Sequence, residues 1–257
     1  MRIGDGYGEM LLAALDEGGR EIVEIVERDD GLIMAGRYLS AGHYLAPYRK
    51  WPSHQRRALR LARGRVLDVG AGAGRVALHL QQKGHEVVAI DCSPGAVEVC
   101  RRRGVRDARV LRVEDADTTL GRFDTVVMYG NNLGLLASRA KGRRLLRRLH
   151  GITTERGRIL GEILDPYPDA APIHLAYHRR NRERGRMSGQ VRIRIRYRDL
   201  ATPWFDYLSS RGPSSRSSSR ARAGALPARS RRRDRCTWPS SRRWRAGTPS
   251  DRVRRPS

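Results

Sequence analysis

Cysteine and long apolar runs are scarce in this sequence. The spacing of Cys92, Cys100 and Cys236 fits neither a metal site nor a disulfide framework, so a reducing compartment is expected. The first residues lack the basic region and the long apolar core of a signal peptide. No apolar run approaches the roughly 18 residues that a membrane-spanning helix needs. We therefore expect a soluble, cytoplasmic protein that makes no membrane contact.

Residues 64–91 contain the strand, turn, helix and strand of a nucleotide-binding unit. Its predicted parts, in order, are a strand at 66–69, a glycine-rich turn at 70–74, a helix from 75 to about 83, a strand at 86–90 and the acid Asp91. Glycines let the backbone turn sharply and approach a ligand closely. Asp91 follows Gly70 by 21 residues, near the offset of about 20 at which a carboxylate accepts hydrogen bonds from ribose. The pattern predicts a nucleoside site at the carboxyl ends of parallel strands.

The glycine spacing alone leaves the identity of the nucleotide open. Counted from Gly70, the third small position of a dinucleotide fingerprint falls on Arg75, whereas counted from Gly72 it falls on Ala77, which is a formal match. The complete segment Asp68-Val69-Gly70-Ala71-Gly72-Ala73-Gly74 resembles motif I of the class I S-adenosylmethionine-dependent methyltransferases. This resemblance favours a methyltransferase over a dinucleotide enzyme and implies S-adenosylmethionine as the cofactor. It also implies that a carboxylate near the end of the first strand helps to hold the cationic amino-acid end of the cofactor.

The resemblance continues in order along residues 64–165. Cys92-Ser93-Pro94 resembles the start of the family's next helix, and Ser93 and Pro94 are good start signals in themselves. A third strand at 108–113 precedes Glu114-Asp115-Ala116, which is similar to the acidic turn near adenine, and strands four and five are predicted at 123–128 and 157–165. The implied fold is a Rossmann-like, doubly wound α/β domain with a mostly parallel sheet. The cofactor-binding residues that it implies are Asp68, Gly70, Ala71, Gly72, Gly74, Asp91, Cys92, Glu114, Asp115, Ala116 and Asn131.

Two segments flank these motifs at the predicted acceptor side. Residues 1–63 are interpreted as an N-terminal helical cap, in which Tyr44, Tyr48 and Trp51 are either lid residues or ordinary packing aromatics. In residues 64–208, the predicted methyltransferase domain, His174 and His178 would share one helix face. Neutral imidazoles can accept a proton from a methyl acceptor, so these two are the candidate catalytic residues. Packing or surface histidines are the alternative, and without a third ligand we predict no metal site.

The segment after the fourth strand bears on the substrate class. Asn131-Asn132-Leu133-Gly134 lacks the prolines and the aromatic residue of the clamp that some nucleic-acid amino-methyltransferases use for a flipped base. Methylation of adenine or cytosine amino groups is therefore not favoured.

The positive charge is concentrated at the C-terminus. The formal net charge is +25, and residues 209–257 hold 15 arginines and no lysine against Asp234 and Asp251. This tail has few aliphatic residues, so we expect it to be disordered and the final helix and last strand of the fold to be missing or disordered. A basic arm that binds phosphates is one interpretation. Our preferred hypothesis is out-of-frame translation after Leu208, because a back-translation of the tail shifted by one base encodes an amphipathic helix followed by an apolar strand.

Three functional hypotheses follow. The favoured one is a methyltransferase that acts on a small-molecule acceptor, and the second is an RNA-directed methyltransferase or RNA-binding module that uses the arginines of 139–198 and the tail. The third is an inactive relative that binds the cofactor alone.

A clean alternating strand at 191–197 is predicted to place isoleucines toward the core and to lose its neighbour if the tail is aberrant. The sequence does not specify the acceptor or the oligomeric state.

Overall fold

The structure, a computed structural model, describes residues 1–18, 22–35, 40–165 and 171–209, together with the backbone alone of residues 222–227. The strands in chain order are β1 (Arg2–Ile3), β2 (Ile25–Arg28), β3 (Ile33–Met34), β4 (Val66–Val69), β5 (Val87–Asp91), β6 (Ala108–Val110), β7 (Phe123–Met128), β8 (Thr153–Ile163), β9 (Gln190–Tyr197), β10 (Leu200–Ala201), β11 (Phe205–Leu208) and β12 (Arg222–Pro227). The helices are α1 (Gly6–Asp16), α2 (Ala41–Leu45), α3 (Ser53–Leu59), α4 (Arg75–Gln82), α5 (Pro94–Arg102), α6 (Arg139–Gly151) and α7 (Pro172–Glu183).

A parallel sheet forms the centre of the molecule. Its strands β8, β7, β4, β5 and β6 are neighbours in that order and all run parallel. The chain moves outward from β4 through β5 to β6, then returns to the other side of β4 with β7 and β8. This is the predicted Rossmann-like, doubly wound α/β fold. In such sheets a ligand binds at the carboxyl ends of the strands where the strand order reverses, which here is the end of β4.

Burial on both faces explains why β4 and β5 are so apolar. Every residue of both strands is buried, as expected when helices cover a parallel sheet on both sides. Val66 packs in the cluster that includes residues of α3 and α4, whereas the adjacent Leu67 packs in the cluster that includes Leu145 and Leu149 of α6. Alternate residues of one strand therefore contribute to two separate layers of core.

A second sheet corrects the prediction that residues 1–63 are a helical cap. This segment contains α1, α2 and α3, but also β1, β2 and β3. The strand β2 pairs antiparallel with β9, with Ile25 opposite Arg196 and Arg28 opposite Ile193. Ile25 and Val26 are β-branched and favour an extended backbone. Pairing with the distant β9 then fixes this segment as a strand. The N-terminal segment and residues 190–208 thus build one sheet, which crosses the predicted domain boundary at residue 63.

The alternating strand at 191–197 is present as β9, but its neighbours differ from the expectation. One edge of β9 pairs with β2, and the other pairs with β10 and β11. The tail was expected to supply its neighbour, and the N-terminal segment supplies it instead. Arg194 and Arg196 of β9 are held by an ion pair to Glu27 of β2.

The backbone of residues 222–227 borders the central sheet. It forms β12, which pairs antiparallel with β8 at the edge of the central sheet. The rest of the tail beyond residue 209, including most of the hypothesised out-of-frame segment, lies outside the described residues. Among the residues that the structure does describe, no helix is both long and apolar enough to cross a bilayer.

Asp5 connects the N-terminal segment to the central domain. Its carboxylate caps α1 by accepting from the Gly8 amide at 2.9 Å, and its other oxygen accepts from the Ser93 hydroxyl and the Gly95 amide, each at 2.8 Å. One side chain therefore supplies acceptors to the N-termini of both α1 and α5, which pack together. This contact fixes α1 over the turn that follows β5.

Replacement of Asp5 by alanine should weaken the fold measurably. We expect Asp5→Ala to lower the free energy of unfolding by about 2 kcal/mol, because two helix N-termini lose an acceptor. Asp16→Ala is the matched control, since Asp16 lies at the other end of α1 in an exposed ion pair with Arg102 and should cost less than about 1 kcal/mol. Urea denaturation of both variants measures the difference, and equal losses would contradict the role of Asp5.

Candidate functional site

The turn between β4 and α4 has a backbone that only glycine adopts easily. Gly70 and Gly72 have positive φ angles of 67° and 55°. A Cβ on Gly70 would lie 2.3 Å from Nδ2 of Asn132, and one on Gly72 would lie 2.7 Å from the hydroxyl of Tyr7. Alanine at Gly70 would therefore combine backbone strain with a collision. The side chains of Asn132 and Tyr7 therefore lie close against this turn, which stands at the carboxyl edge of the parallel sheet.

Asn132 holds this turn from the end of β7. Its side-chain amide donates to the carbonyls of Val69 and Gly70, at 3.0 and 2.8 Å. Asn131, the predicted site residue, has a different position: its side-chain oxygen accepts from the Leu164 amide at 2.6 Å, and its carbonyl accepts from the Tyr207 hydroxyl at 2.8 Å. Asn132, which was not among the predicted site residues, therefore contacts the glycine turn. The predicted Asn131 contacts the ends of β8 and β11 instead.

Asp91 lies at the end of β5 beside the glycine turn. One carboxylate oxygen accepts from the Gly72 amide at 2.9 Å, and the other accepts from the Ser93 amide at 3.0 Å. Its relative exposure is 7%. Burial raises the pKa of Asp91, and the two amide hydrogen bonds partly oppose that change. The acid and the turn that the sequence predicted to cooperate are therefore in direct contact.

Asp68, in β4, is more deeply buried. Its carboxylate accepts from the Ala77 amide of α4 at 3.1 Å, and its exposure is 2%. Burial raises the pKa of Asp68 to about 7, although the amide bond and the nearby Arg75 guanidinium oppose the rise. Because an ionised carboxylate is costly to bury, Asp68 is a source of pH-dependent stability.

The other predicted cofactor residues lie along the same edge. Cys92 is exposed directly after Asp91. Glu114 is bound by Lys141 at 2.8 Å, Asp115 is exposed, and Ala116 is fully buried. Of the acidic turn, Asp115 is therefore the carboxylate directed to solvent, while Glu114 is held by a cation of α6.

The two candidate catalytic histidines lie elsewhere in the described structure. They share one face of α7, as predicted, but His174 contacts Arg28, with 3.0 Å between Nδ1 and the guanidinium. Burial and then Arg28 lower the pKa of His174, and His178 is buried on the same side. His174 therefore lies against the end of β2.

A buried acid that the sequence analysis missed faces the site from β8. Glu162 accepts from His54 and Gln55 of α3, each at 2.7 Å, and from the Gly130 amide at 2.8 Å. Burial alone would raise the pKa of Glu162, but its hydrogen bonds, that of His54 foremost, hold it below the ordinary value. The available signal was an acid inside the otherwise apolar run of residues 159–164.

Arg75, the first residue of α4, completes this polar cluster. Its guanidinium donates to the side chain of Gln55 at 2.9 Å and lies 4.6 Å from the ring centre of Trp51. Of the three lid candidates, Trp51 thus packs on Arg75 and Tyr48 stacks on His79 at 3.9 Å. Tyr44 lies against the glycine turn, 3.5 Å from where a Cβ of Gly72 would be.

No group of three or more histidine, cysteine or acidic side chains is arranged to hold a metal ion within the parts of the chain that the structure describes.

The pKa of Asp68 leads to a prediction about stability. In the folded protein Asp68 ionises at a pH of about 7 instead of 3.8. Below 3.8 the carboxyl is protonated in both states; as the pH rises from 3.8 to 7, the unfolded state ionises first and the folded state loses stability. Asp68→Asn removes this loss, so we expect the ligand-free variant to be more stable than the parent by about 2 kcal/mol at pH 5 and about 4 kcal/mol at pH 8.

Urea denaturation at the two pH values measures this difference. Asp107→Asn is the control, because Asp107 is paired with Arg109 at the surface, and its replacement should change stability little at either pH. A difference between parent and Asp68→Asn that does not grow with pH would show that Asp68 is ionised in the folded protein at both values.

Comparison with known proteins agrees with this architecture. A family model described as a methyltransferase domain matches residues 66–157. A Geobacillus sp. protein named as a methyltransferase is 25% identical over 130 residues, which are 48% of this chain and 53% of that protein. Ubiquinone biosynthesis O-methyltransferase from Xanthomonas oryzae pv. oryzae is 43% identical over 74 residues, 26% of this chain and 31% of that protein. The matches thus span about half or less of these relatives.

A solved structure is similar over a larger share of the chain. The crystal structure of a SAM-dependent methyltransferase from Bacteroides fragilis, in complex with S-adenosyl-L-homocysteine, superposes with a TM-score of 0.65 at 28% identity and covers 80% of both chains. With the domain match and the order of the parallel strands, this similarity shows a methyltransferase domain of the class I, Rossmann-like fold at residues 66–157.

Proposed function

We propose that this protein transfers a methyl group from S-adenosylmethionine to a small-molecule acceptor. When bound, this cofactor supplies a methyl group on a positively charged sulfur. The observation that carries the proposal is the contact of Asp91 with the Gly72 amide, because it joins the predicted ribose-binding acid to the predicted cofactor turn at the strand-order reversal.

The position of Asp91 fits a ribose. A carboxylate oxygen has more than one lone pair, so each oxygen that accepts from an amide can also accept from a hydroxyl. The amides of Gly72 and Ser93 orient the carboxylate before any ligand arrives, which reduces the cost of ordering it on binding. Exposed Asp115, after β6, is the carboxylate that we assign to the adenine amino group.

The charges near the turn fit a nucleoside with a cationic group better than a dinucleotide. Residues 70–74 are only glycine and alanine, and Asp68 and Asp91 flank them. The guanidinium of Arg75 is already engaged by Gln55 and Trp51. A pyrophosphate would meet two buried carboxylates, whereas a sulfonium and an ammonium group would be attracted by them.

The enclosure of the turn supports a small acceptor. Tyr7 and Tyr44 cover Gly72 from the N-terminal segment, and Asp5 fixes that segment to α5. The Xanthomonas relative is named as an O-methyltransferase of ubiquinone biosynthesis. The RNA-directed alternative would use exposed arginines, but Arg194 and Arg196 are engaged by Glu27. We do not assign the base to His174 or His178, because Arg28 engages His174, and His178 lies one turn farther along the same helix.

Calorimetry with S-adenosylhomocysteine tests the cofactor site. The parent should bind, and Asp91→Asn should bind at least about 100-fold more weakly, because a charged hydrogen-bond acceptor contributes about 1.5–3 kcal/mol for each bond it makes. Asparagine is chosen over alanine because its single side-chain oxygen still gives one of the buried Gly72 and Ser93 amides an acceptor, whereas alanine would leave both without one. Asp107→Asn, at an exposed ion pair one strand away, should bind like the parent.

An isotherm of Asp91→Asn that matches the parent would refute the ribose assignment. Absence of binding by the folded parent would refute the proposed function as a whole.

A further inference from the structure

A cleft with a volume of about 680 Å³ runs along α6. One side is formed by side chains of α6, and the other by residues of the segment 114–118, which follows β6. Leu145 and Ile152 lie at its base, where they are 3% and 1% exposed and belong to the core beneath α6. A small organic molecule fits a cleft of this volume, and the packed core holds the base of the cleft in place.

The cleft is distinct from the cofactor site. The residues that line it within the described structure do not include the glycine turn, Asp91 or Asp115. Glu114 does line the cleft, but its ion pair with Lys141 at 2.8 Å holds it against α6. The groups of the cleft are therefore not used by the proposed methyl transfer and require a separate explanation.

The helix that forms the cleft carries charge of one sign. Its sequence, RAKGRRLLRRLHG, contains six lysine or arginine side chains and no acid. Arg144 and Arg148 lie one turn apart, as do Arg143 and Arg147, and like charges at this spacing destabilise a helix. Side chains of mixed sign would give a soluble surface without this repulsion. An anion bound in the cleft would compensate it.

Two guanidinium groups in the cleft are available to an anion. The charge of Lys141 is already paired with Glu114. Arg148 donates to the carbonyl of Ala116 at 3.3 Å, which orients its guanidinium without neutralising it. Arg144 is exposed, and within the residues that the structure describes neither Arg144 nor Arg148 forms an ion pair. Both arginines can therefore accept a negatively charged partner.

The spacing of these two arginines fits a phosphate group. Residues four apart on a helix are about 6 Å apart along its axis, so Arg144 and Arg148 can reach one anion between them. Guanidinium groups bind phosphate oxygens through paired hydrogen bonds. A phosphate ester carries a charge of about −1.5 to −2 at pH 7, which matches the charge of two guanidinium groups.

The opposite side of the cleft fits a ligand that also donates hydrogen bonds. Asp117 and Thr118 line this side and are exposed, so they offer a carboxylate and a hydroxyl oxygen as acceptors. A nucleic-acid strand, which carries a phosphate on every nucleotide, would place negative charge against Asp117. A small molecule with one phosphate and several hydroxyl groups fits both sides of the cleft.

We propose that the α6 cleft binds a sugar phosphate, with Arg144 and Arg148 on the phosphate and with Asp117 and Thr118 on the sugar hydroxyls. This assignment adds a second ligand site to the chain and does not depend on the proposed function. Because the described lining of the cleft and the cofactor turn have no residue in common, the two sites can be tested separately.

Calorimetry with glucose 6-phosphate tests this site in the full chain. The parent should bind glucose 6-phosphate more tightly than inorganic phosphate, because the hydroxyl contacts add to those of the phosphate, and it should show no detectable binding of glucose. Arg144→Gln should weaken the binding of glucose 6-phosphate at least about tenfold, since a charge-assisted hydrogen bond is lost. Arg144 is exposed, so the variant should keep the fold, and its thermal midpoint checks this.

Arg143→Gln is the matched control. Arg143 lies next to Arg144 on α6 and is exposed, and its replacement removes the same charge, but it lies outside the lining of the cleft. The affinity of this variant for glucose 6-phosphate should stay close to that of the parent. Asp117→Asn should weaken the binding of glucose 6-phosphate without weakening that of inorganic phosphate, because Asp117 is assigned to the sugar.

The proposal is overturned if the folded parent does not bind glucose 6-phosphate. Equal affinities for glucose 6-phosphate and inorganic phosphate would show an adventitious ion only. Equal losses in Arg144→Gln and Arg143→Gln would show that the charge of the whole helix, and not the cleft, attracts the anion. Tighter binding of a single-stranded RNA that depends equally on Arg143 and Arg144 would make α6 a nucleic-acid surface instead.

Discussion

The buried carboxylate of Asp91 is the constraint on which the site depends. A charged group that is removed from water must be compensated by hydrogen bonds, and the amides of Gly72 and Ser93 provide them. This requirement fixes the glycine turn relative to the start of α5. The Ser93 hydroxyl in turn donates to Asp5, which caps α1. A single series of hydrogen bonds therefore extends from the cofactor turn to the segment that covers it, so the position of the turn and the position of its cover are coupled.

The central domain could be predicted because its signals are local. The strand, turn and helix of residues 66–82, and Ser93 and Pro94 at the start of α5, follow from apolar periodicity, glycine conformation and capping chemistry within a few residues. Each of these patterns involves residues that lie within a short stretch of the sequence. The same reasoning placed Asp91 at the end of its strand, where the structure has it next to Gly72.

The rest of the site could not be predicted because it is made by contacts between distant segments. Glu162 is an ordinary acid in the sequence, and only the contact of α3 with the end of β8 gives it the donors of His54 and Gln55. His174 and His178 illustrate the converse. Their spacing was right for one helix face, but spacing carries no information about what that face packs against, and Arg28 is its neighbour. The helical interpretation of residues 1–63 failed for the same reason, since the partner of β2 lies far along the chain.

The pairing of β2 with β9 also orders events during synthesis of the chain. All five parallel strands are synthesised before β9, so the strands of the central domain precede the partner that β2 needs for one of its edges. The second sheet is completed when residues 190–208 pair with β2 and close a loop that encloses most of the domain, a slow step because its contacts are non-local. Until β9 is in place, the open edge of β2 is available for pairing with other chains. The nascent protein is therefore most exposed to misassembly before residues 190–208 complete the second sheet.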